Sequence, residues 1–307
     1  MDIFIQQIIN GLVLGSIYAL VALGYTMVYG IMGLINFAHG EVVMIGALSS
    51  LAIIKLFASS GLPGPVVVLI GLAGAIPVCM ALGYTIERVA YRPLRTAPRL
   101  APLITAIGVS IVLQQVGMLV WGRNYHAFPG LLPTTPRHIL GAQITDLQLL
   151  IVVLAALIMA GLIALVNATR IGRAMRATAE NPDIASLMGV NVDHVISITF
   201  VIGSALAAVA GVMVSANYSI AHYYMGFILG LKAFTAAVLG GIGNMGGAML
   251  GGVLLGLIES LGAGYIGDLT GGFLGSHYQD VFAFFVLIVV LVFRPSGLMG
   301  EKLAERA

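Results

Sequence analysis

Charged side chains are scarce in this chain. They make up 8% of its 307 residues, whereas hydrophobic residues make up 60% and the mean hydropathy is +1.06. In a soluble globular domain about 25% of the residues are charged, so the composition excludes a water-soluble protein. It predicts an all-α polytopic membrane protein, in which the positions of the basic residues matter more than the formal net charge of +2.

Cysteine and lysine are also rare, and each scarcity excludes a class of chemistry. Cys79 is the single cysteine and lies in an apolar segment, which excludes a disulfide within the chain and favours a packing role. A phosphate-binding P-loop needs Gly-Lys-Ser/Thr, but none of the three lysines, Lys55, Lys232 and Lys302, follows a glycine. If the protein uses ATP, another chain must hydrolyse it.

Motifs for enzymatic chemistry are missing as well. The sequence has no His-Glu-x-x-His zinc motif, no Gly-x-Ser-x-Gly elbow and no grouping of Asp and His with metal-ligand spacing inside a span. We therefore expect a non-catalytic membrane subunit with no cofactor and no metal.

Apolar runs long enough to cross a bilayer recur along the whole chain. A span needs about 20 largely apolar residues, and eight to nine segments qualify. Their limits are near 8–29, 38–57, 65–88, 102–121, 147–168, 195–217, 228–244, 247–266 and 280–293. The seventh and ninth are short, and the pair between 228 and 266 is alternatively one span plus a re-entrant piece. The start, MDIFIQQIIN, lacks the positive region of a signal peptide, so we expect the first helix to be retained.

Basic residues cluster in three regions and predict the orientation. Ten of the fourteen lie on one side of the membrane in a nine-span arrangement: Arg88, Arg92, Arg95, Arg99, Arg170, Arg173, Arg176, Arg294, Lys302 and Arg306. By the positive-inside rule this side is cytoplasmic, which places the amino terminus outside and the carboxyl terminus inside. The opposite loop, 122–146, holds three prolines and reads as a rigid extracytoplasmic cap without helical periodicity. We expect a single permease domain over 1–307.

The longest polar interval with helical character is TRIGRAMRATAENPDIASLMGVNVDHV, at 169–195. Within it, Asn181 suits an N-cap and Pro182 the first helical position, and Gly189 suits the end of a short helix. The apolar residues of that helix share one face at spacing i, i+3, i+4; they are Ile184, Leu187 and Met188. Nothing in the loop covers this face, so we expect something outside the membrane to cover it.

Glycine is used in two patterns. Small residues recur four apart in several spans, which predicts close helix packing in lipid; these are Gly11 and Gly15, Gly203, Ala207 and Gly211, Gly247 and Gly251, and Gly252 and Gly256. Two Gly-rich interruptions, at 29–46 and 239–252, carry Asn36 and Asn244 near their middles. Transporters with inverted repeats place broken helices in this way, although the two halves share too little sequence to prove a duplication.

Polar residues within the spans are candidates for a translocation path, because they are costly in lipid. The candidates are Asn36, His39, Glu41, Gln114, Lys232 and Asn244. His39 and Glu41 either line a pathway or couple to protons, or else they lie at the cytoplasmic interface. Gln114 equally suits a contact between helices. Lys232 equally suits snorkelling near the outer end of the seventh span, with a helix-end carbonyl as partner, and we expect Glu259 near the outer surface.

Four separated segments carry a resemblance to a known family: YGIMGLINFAHGEVVMIGA, IERVAYRPLR, GRAMRATAENPDIASLMGVNVDHV and LKAFTAAVLGGIGNMGGAMLGG. In this order they resemble the permeases of the branched-chain amino-acid ABC importers, over nearly the whole chain from about Ile8 to Met299. The chain is most similar to the shorter, H-type permease subunit of the leucine, isoleucine and valine system of Gram-negative bacteria.

The resemblance implies an ABC importer permease in the bacterial cytoplasmic (inner) membrane, working with a second homologous permease subunit, two cytoplasmic ATP-binding subunits and a periplasmic amino-acid-binding protein. It implies that 170–194 is the coupling loop that docks on an ATPase. The docking residues would be Arg173, Arg176, Glu180, Asn181, Pro182, Ile184, Leu187, Met188 and Gly189. ATP binding and the loaded binding protein would then drive alternating access.

Two alternatives stay open. A permease of the same class could carry another amino acid, urea or a sugar, and nothing in the spans excludes these. A stand-alone secondary transporter should show a paired ion site at mid-membrane, and the unpaired, end-located set of His39, Glu41 and Lys232 argues against it.

Overall fold

The computed structural model describes residues 2–95, 97–98, 100–139, 141–271 and 278–300. Arg99, Lys302 and Arg306, which contribute to the predicted orientation, lie outside the described residues. The helices are, in chain order, α1 (Asp2–Met32), α2 (His39–Phe57), α3 (Gly64–Ile86), α4 (Leu100–Trp121), α5 (Asp146–Ala168), α6 (Arg170–Glu180), α7 (Pro182–Leu187), α8 (Val192–Tyr218), α9 (Met225–Gly240), α10 (Met245–Leu269) and α11 (Gln279–Phe293).

The apolar helices follow the predicted spans closely. Within the described ranges, seven are long and apolar enough to cross a membrane, and two shorter apolar helices, Met225–Gly240 and Asp280–Phe293, complete the set. These two are the predicted seventh and ninth segments, which the sequence also made short. After residue 228 the structure has the short helix α9 and the span-length helix α10. Both two spans and one span plus a re-entrant piece therefore stay open as predictions.

Short strands lie between the helices. In the loop 122–146, β2 (Pro136–Ile139) and β3 (Ala142–Thr145) form an antiparallel pair. The two-residue strand β1 (His126–Ala127) pairs with β4 (Ile220–Ala221), which follows α8. The predicted lack of helix in this loop is confirmed for its described residues after Trp121 and before Asp146, but the pairing of backbone groups was not predicted.

The described residues belong to two compact units. The first unit is drawn from Met1–Thr26, Thr134–Met159 and Lys232–Ala307, and the second unit from Met27–Pro133 and Ala160–Leu231. The expectation of a single permease domain stays a prediction.

In the second unit, α2 packs against both α3 and α8, which also pack against each other. Its side chains are buried along nearly its whole length, including Met44, Leu48 and Ile54. A helix that is apolar all round can be surrounded by protein or by lipid, and α3 and α8 supply protein cover for α2. Glycine permits the close approach to α8, since a Cβ on Gly46 would lie 2.7 Å from Ala208 Cα.

In the first unit, α1 and α10 approach each other through their glycines. A Cβ on Gly11 would lie 2.8 Å from Leu257 Cα, and one on Gly15 would lie 2.7 Å from Val253 Cα. Cβ atoms on Gly252 and Gly256 would likewise overlap the α1 backbone. The predicted tight packing through small residues spaced four apart is therefore confirmed for these helices.

Candidate functional site

The polar interval after α5 folds as two short helices, α6 and α7, with capped starts. The Thr169 hydroxyl caps α6 by accepting a hydrogen bond from Gly172 N at 3.0 Å. Asn181 Oδ1 caps α7 by accepting from Asp183 N and Ile184 N, each at 3.0 Å. Pro182 occupies the first helical position, where it needs no amide hydrogen. The predicted start of the short helix is confirmed.

The apolar face of α7 is exposed. Ile184 is 58%, Leu187 86% and Met188 80% exposed, whereas Ala185 on the opposite side is buried. Met188 follows the last residue of α7, and Gly189 continues the turn with φ +85°, a conformation that favours glycine. Three large apolar side chains held outward on a capped helix form a surface suited to a groove on another protein.

The charged residues of the predicted coupling loop lie on the outside of α6. Arg173, Arg176 and Glu180 are all exposed. The Arg176 guanidinium donates to the carbonyl of Val166 near the end of α5, an interaction favoured by the negative end of a helix dipole. Gly172 lies so close to the same carbonyl that a Cβ there would overlap it. Arg176 therefore anchors α6 to α5, a role the sequence reasoning missed.

A shallow cleft of about 400 Å³ lies beside α7. It is lined by Ser186, Gly189, Val190, Asn191, Val192 and Asp193. Asn191 also caps α8, because its side chain accepts from His194 N at 3.0 Å. The exposed face of α7 and the start of α8 thus adjoin one recess.

A network of charged residues ties the end of α3 to the start of α8. Beyond α3, Glu87–Tyr91 forms a π-helical turn and Arg92–Leu94 a 3₁₀ turn. Asp193 accepts from both Arg92 and Arg95, and Arg95 also pairs with the fully buried Glu87. Burial lowers the pKa of the Arg95 guanidinium below its usual value, and the charge of Glu87 opposes that change. The sequence reasoning treated these arginines only as markers of orientation. The signal it missed is Glu87, an acidic residue within a run of basic ones.

The connection between α1 and α2 holds the buried Asn36. Its Oδ1 accepts from the hydroxyl of Tyr91 at 3.0 Å and from Ala38 N at 3.2 Å. His39 begins α2, is also buried, and donates from its backbone N to Asn36 O at 3.0 Å. The predicted interruption near Asn36 is confirmed as a turn between two helices.

Glu41 and Gln114 meet in the interior of the second unit. Glu41 is 1% exposed, and its Oε1 accepts from Gln114 Nε2 at 2.7 Å and from the Ser110 hydroxyl at 3.2 Å. Its Oε2 lies against the backbone of Gly226, where an added Cβ would be 2.7 Å away. The Glu41 carboxylate is therefore not solvated, because α4 and the start of α9 surround it. Its position at the cytoplasmic interface stays a prediction.

Lys232 is paired, which corrects the sequence reasoning. Its Nζ lies 2.6 Å from Glu259 Oε1 and 2.7 Å from Asp280 Oδ1, and the Tyr18 hydroxyl donates to Glu259 Oε2 at 2.9 Å. Glu259 is buried in this cluster of the first unit. The expectation of a lysine without an ion partner is wrong, and the partners are carboxylates in place of the expected helix-end carbonyl. The sequence reasoning missed them because they lie on other helices, 27 and 48 residues further along the chain.

Asn244 acts as a helix cap in the first unit. It lies between α9 and α10, where its Oδ1 accepts from Gly247 N at 3.0 Å and its Nδ2 donates to Met299 O at 3.1 Å. Gly241 and Gly243 complete the turn with positive φ. This second predicted interruption is also confirmed as a turn between separate helices.

The six candidate path residues are divided between the units. Asn36, His39, Glu41 and Gln114 belong to the second unit, and Lys232 and Asn244 to the first. Among the residues that the structure describes, no three His, Cys, Asp or Glu side chains are grouped so that they could hold a metal ion.

Comparisons with known proteins agree with this architecture. A model of the family described as branched-chain amino acid transport system / permease component matches residues 7–291. The chain is 49% identical over 308 residues to the high-affinity branched-chain amino acid transport system permease protein BraD of Pseudomonas aeruginosa, covering 99% of this chain and 98% of the relative. It is 47% identical over 310 residues to the permease protein LivH of Escherichia coli K12, covering 99% of this chain and 97% of the relative.

Among solved structures, PsaBC from Streptococcus pneumoniae in complex with Fab matches 95% of this chain and 91% of that chain. Its identity of 14% and TM-score of 0.48 are too low to carry an argument. The family model and the sequence relatives cover nearly the whole chain, and they therefore establish the family. The protein is an α-helical polytopic membrane protein, and it belongs to the family of branched-chain amino acid transport permeases.

Proposed function

We propose that this chain is the membrane-spanning, non-catalytic subunit of an ATP-driven importer in the bacterial inner membrane. It passes leucine, isoleucine and valine from a periplasmic binding protein to the cytoplasm by alternating access. The similarity to two branched-chain amino acid permeases over nearly the full chain supports the cargo. The exposed apolar face of α7 is the structural observation that carries the ATP-driven mechanism.

The partners follow from the same proposal. A second homologous permease subunit completes the membrane part, and two cytoplasmic ATP-binding subunits dock on the coupling helices. Exposed apolar residues on α4, such as Ile104 and Leu119, suit a surface in contact with lipid or with that second permease. The coupling loop lies in the cytoplasm, so the carboxyl terminus does too.

We assign the docking contact to Ile184, Leu187 and Met188. An amphipathic helix docks in a groove through the apolar side chains that it exposes before binding, and these three are the large apolar residues of α7 and its C-cap. Asn181, Pro182 and Gly189 set the two ends of the helix, while Arg173, Arg176 and Glu180 place charge on the preceding helix α6. ATP-driven movement of the ATPases therefore reaches the permease through α7.

The translocation path is assigned to the buried and half-buried polar groups of each unit. Glu41 with Gln114, and Asn36 with His39, supply polar surface in the second unit, and Lys232 and Asn244 supply it in the first. Buried polar groups in membrane helices mark solute pathways more often than chance. The path binds its solute weakly, because the binding protein provides the affinity.

A stand-alone secondary transporter is the weaker alternative. The sequence argument against it assumed that Lys232 is unpaired, and that premise is wrong. Family membership and the outward face of α7 now support the importer instead, since a secondary transporter has no use for a docking helix.

The test is uptake of radiolabelled leucine into proteoliposomes holding the whole complex, with the native chain and with Leu187→Asp. A carboxylate at this position is solvated in the free chain but would lose its water in an apolar groove, which is costly. The variant should therefore abolish both co-purification of the ATPases and ATP-dependent uptake. Ser59→Asp is the matched control, because it puts the same charge on the exposed loop after α2 and should change neither. Uptake that persists in Leu187→Asp with no ATPase bound would overturn the proposal.

A further inference from the structure

Asp193 stands where the docking segment ends and α8 begins. It lies in the first turn of α8 and lines the cleft beside α7 together with Ser186 and Gly189. Its side chain is 48% exposed, so one side faces the cleft while the carboxylate oxygens point to α3. A displacement of α7 must therefore reach Asp193 early.

Two arginines from the end of α3 hold this carboxylate. Arg92 binds Asp193 Oδ2 and Arg95 binds Oδ1, across about 100 residues of sequence. Arg95 also reaches Oε1 of Glu87, whose Oε2 accepts from the Ser197 hydroxyl at 2.7 Å. The start of α8 is thus tied to the end of α3 by two separate sets of charged contacts.

The far end of this network reaches the connection between α1 and α2. Glu87 and Tyr91 begin and end the same π-helical turn, and such turns recur at functional sites. The buried Tyr91 ring packs on Phe200 of α8 with ring centroids 5.4 Å apart, and its hydroxyl donates to Asn36. Asn36 in turn holds Ala38 N at the start of α2. An unbroken series of contacts runs from the cleft to Asn36.

We propose that Arg92, Arg95 and Asp193 are positioning residues that couple movement of the docking helix α7 to the α1–α2 connection at Asn36. The inference rests on the proposed importer function, and it names the part of the second unit that transmits the ATPase movement. These residues touch neither the solute nor ATP.

The chemistry of the network suits this role. Glu87 has 0% side-chain exposure, so losing Arg95 would leave a buried charge unpaired. When Asp193 moves, Arg95 must therefore move with it, and the end of α3 must move with Arg95. Apolar contacts would slide under the same displacement, whereas directional charged hydrogen bonds hold or break as discrete states.

The experiment uses the whole complex in proteoliposomes and measures leucine transported per ATP hydrolysed. We expect Asp193→Asn and Arg92→Gln each to lower this ratio at least about fivefold, the small end of usual coupling effects, with ATPase co-purification unchanged. The double variant should be no worse than Asp193→Asn alone, because that variant already removes the ion pair with Arg92. Arg88→Gln is the matched control: it removes a positive charge one turn earlier, where the arginine contacts the hydroxyl and ring of the exposed Tyr84.

Three results would overturn the inference. They are an unchanged ratio in both single variants, an equal fall in Arg88→Gln, and loss of ATPase binding in Asp193→Asn, which would make Asp193 a docking residue. Arg92→Gln keeps the network testable if Asp193→Asn does not assemble, since Arg95 still holds Asp193. Failure of the importer function itself looks different, because the native complex would then take up no leucine with ATP, and the coupling role would fall with it.

Discussion

Glu41 shows how a single acidic residue is accommodated inside an apolar helix bundle. It stands in the first turn of α2, where the positive end of the helix dipole favours a negative charge. Gln114 and Ser110 of α4 donate to one of its oxygens, and no charged group among the described residues forms an ion pair with it. Its burial therefore depends on neutral donors from a neighbouring helix.

Replacing Gln114 should expose this dependence. We expect Gln114→Leu to lower the free energy of unfolding by about 1–3 kcal/mol, because a buried oxygen loses its strongest donor, and to slow leucine uptake. The matched control is Gln115→Leu, since Gln115 is the adjacent residue and is exposed. Thermal unfolding in detergent and uptake in proteoliposomes measure the two effects. Equal results for both variants would contradict the path assignment at Glu41.

At the scale of elements, α1 and α10 form a close backbone contact in the first unit. In lipid the hydrophobic effect does not hold helices together, so association depends on van der Waals packing between close backbones. The absence of side chains at Gly15 and Gly256 is what allows that approach, because the backbone of each helix occupies the space of the other's Cβ. The spacing of small residues therefore indicates which faces of the two helices can pack closely.

A methyl group is enough to test it. Gly256→Ala should destabilise the protein by about 1–3 kcal/mol, because the added Cβ overlaps the α1 backbone at Gly15. Gly161→Ala in α5 is the control, since a Cβ there meets nothing within 4 Å and alanine favours a helix by about 0.5–1 kcal/mol. Thermal unfolding of the two purified variants should shift in opposite directions. A destabilised Gly161→Ala would mean that general intolerance of substitution explains the result.

At the scale of the whole molecule, the arrangement of the loops about the membrane follows from charge. The basic regions after α3 and α5 predict cytoplasmic loops, and the loop 122–146 between α4 and α5 then lies outside. The orientation matters for the proposed function because docking of α7 on a cytoplasmic ATPase requires α7 to lie in the cytoplasm.

Cysteine labelling measures this orientation directly. Cys79 is buried, and replacing it with alanine leaves a background without thiols. In that background, Asn124→Cys should react with a membrane-impermeant maleimide in intact cells, whereas Ala179→Cys should react only after the membrane is opened. Both positions are exposed, so burial of the side chain would not explain a difference in labelling between them. Labelling in the reverse order would place α6 and α7 outside and contradict ATPase docking.

Local features of the chain were open to prediction, because the groups that decide them are close in sequence. The limits of α2, α5 and α11 match the apolar runs within a few residues, since bilayer thickness and composition set a span's length. Asn181 and Pro182 specify the start of α7 for a similar reason, as a cap bonds to amides two and three residues ahead. The exposed face of α7 follows from helical spacing alone.

The sequence by itself therefore determined the class of the protein, its helices, its turns at Asn36 and Asn244 and its candidate docking face. Only the tertiary structure decided which charges are paired. Arg95 with Asp193, and Lys232 with Glu259, join residues 98 and 27 positions apart on different helices. Such partners meet because of how helices pack. The spacing of small residues marks a face that can pack closely, but it does not specify which helix lies against that face. The charge network at the start of α8 shows this most clearly. From the sequence, its arginines indicated only which side of the membrane is cytoplasmic, and their ion pairs were not predicted.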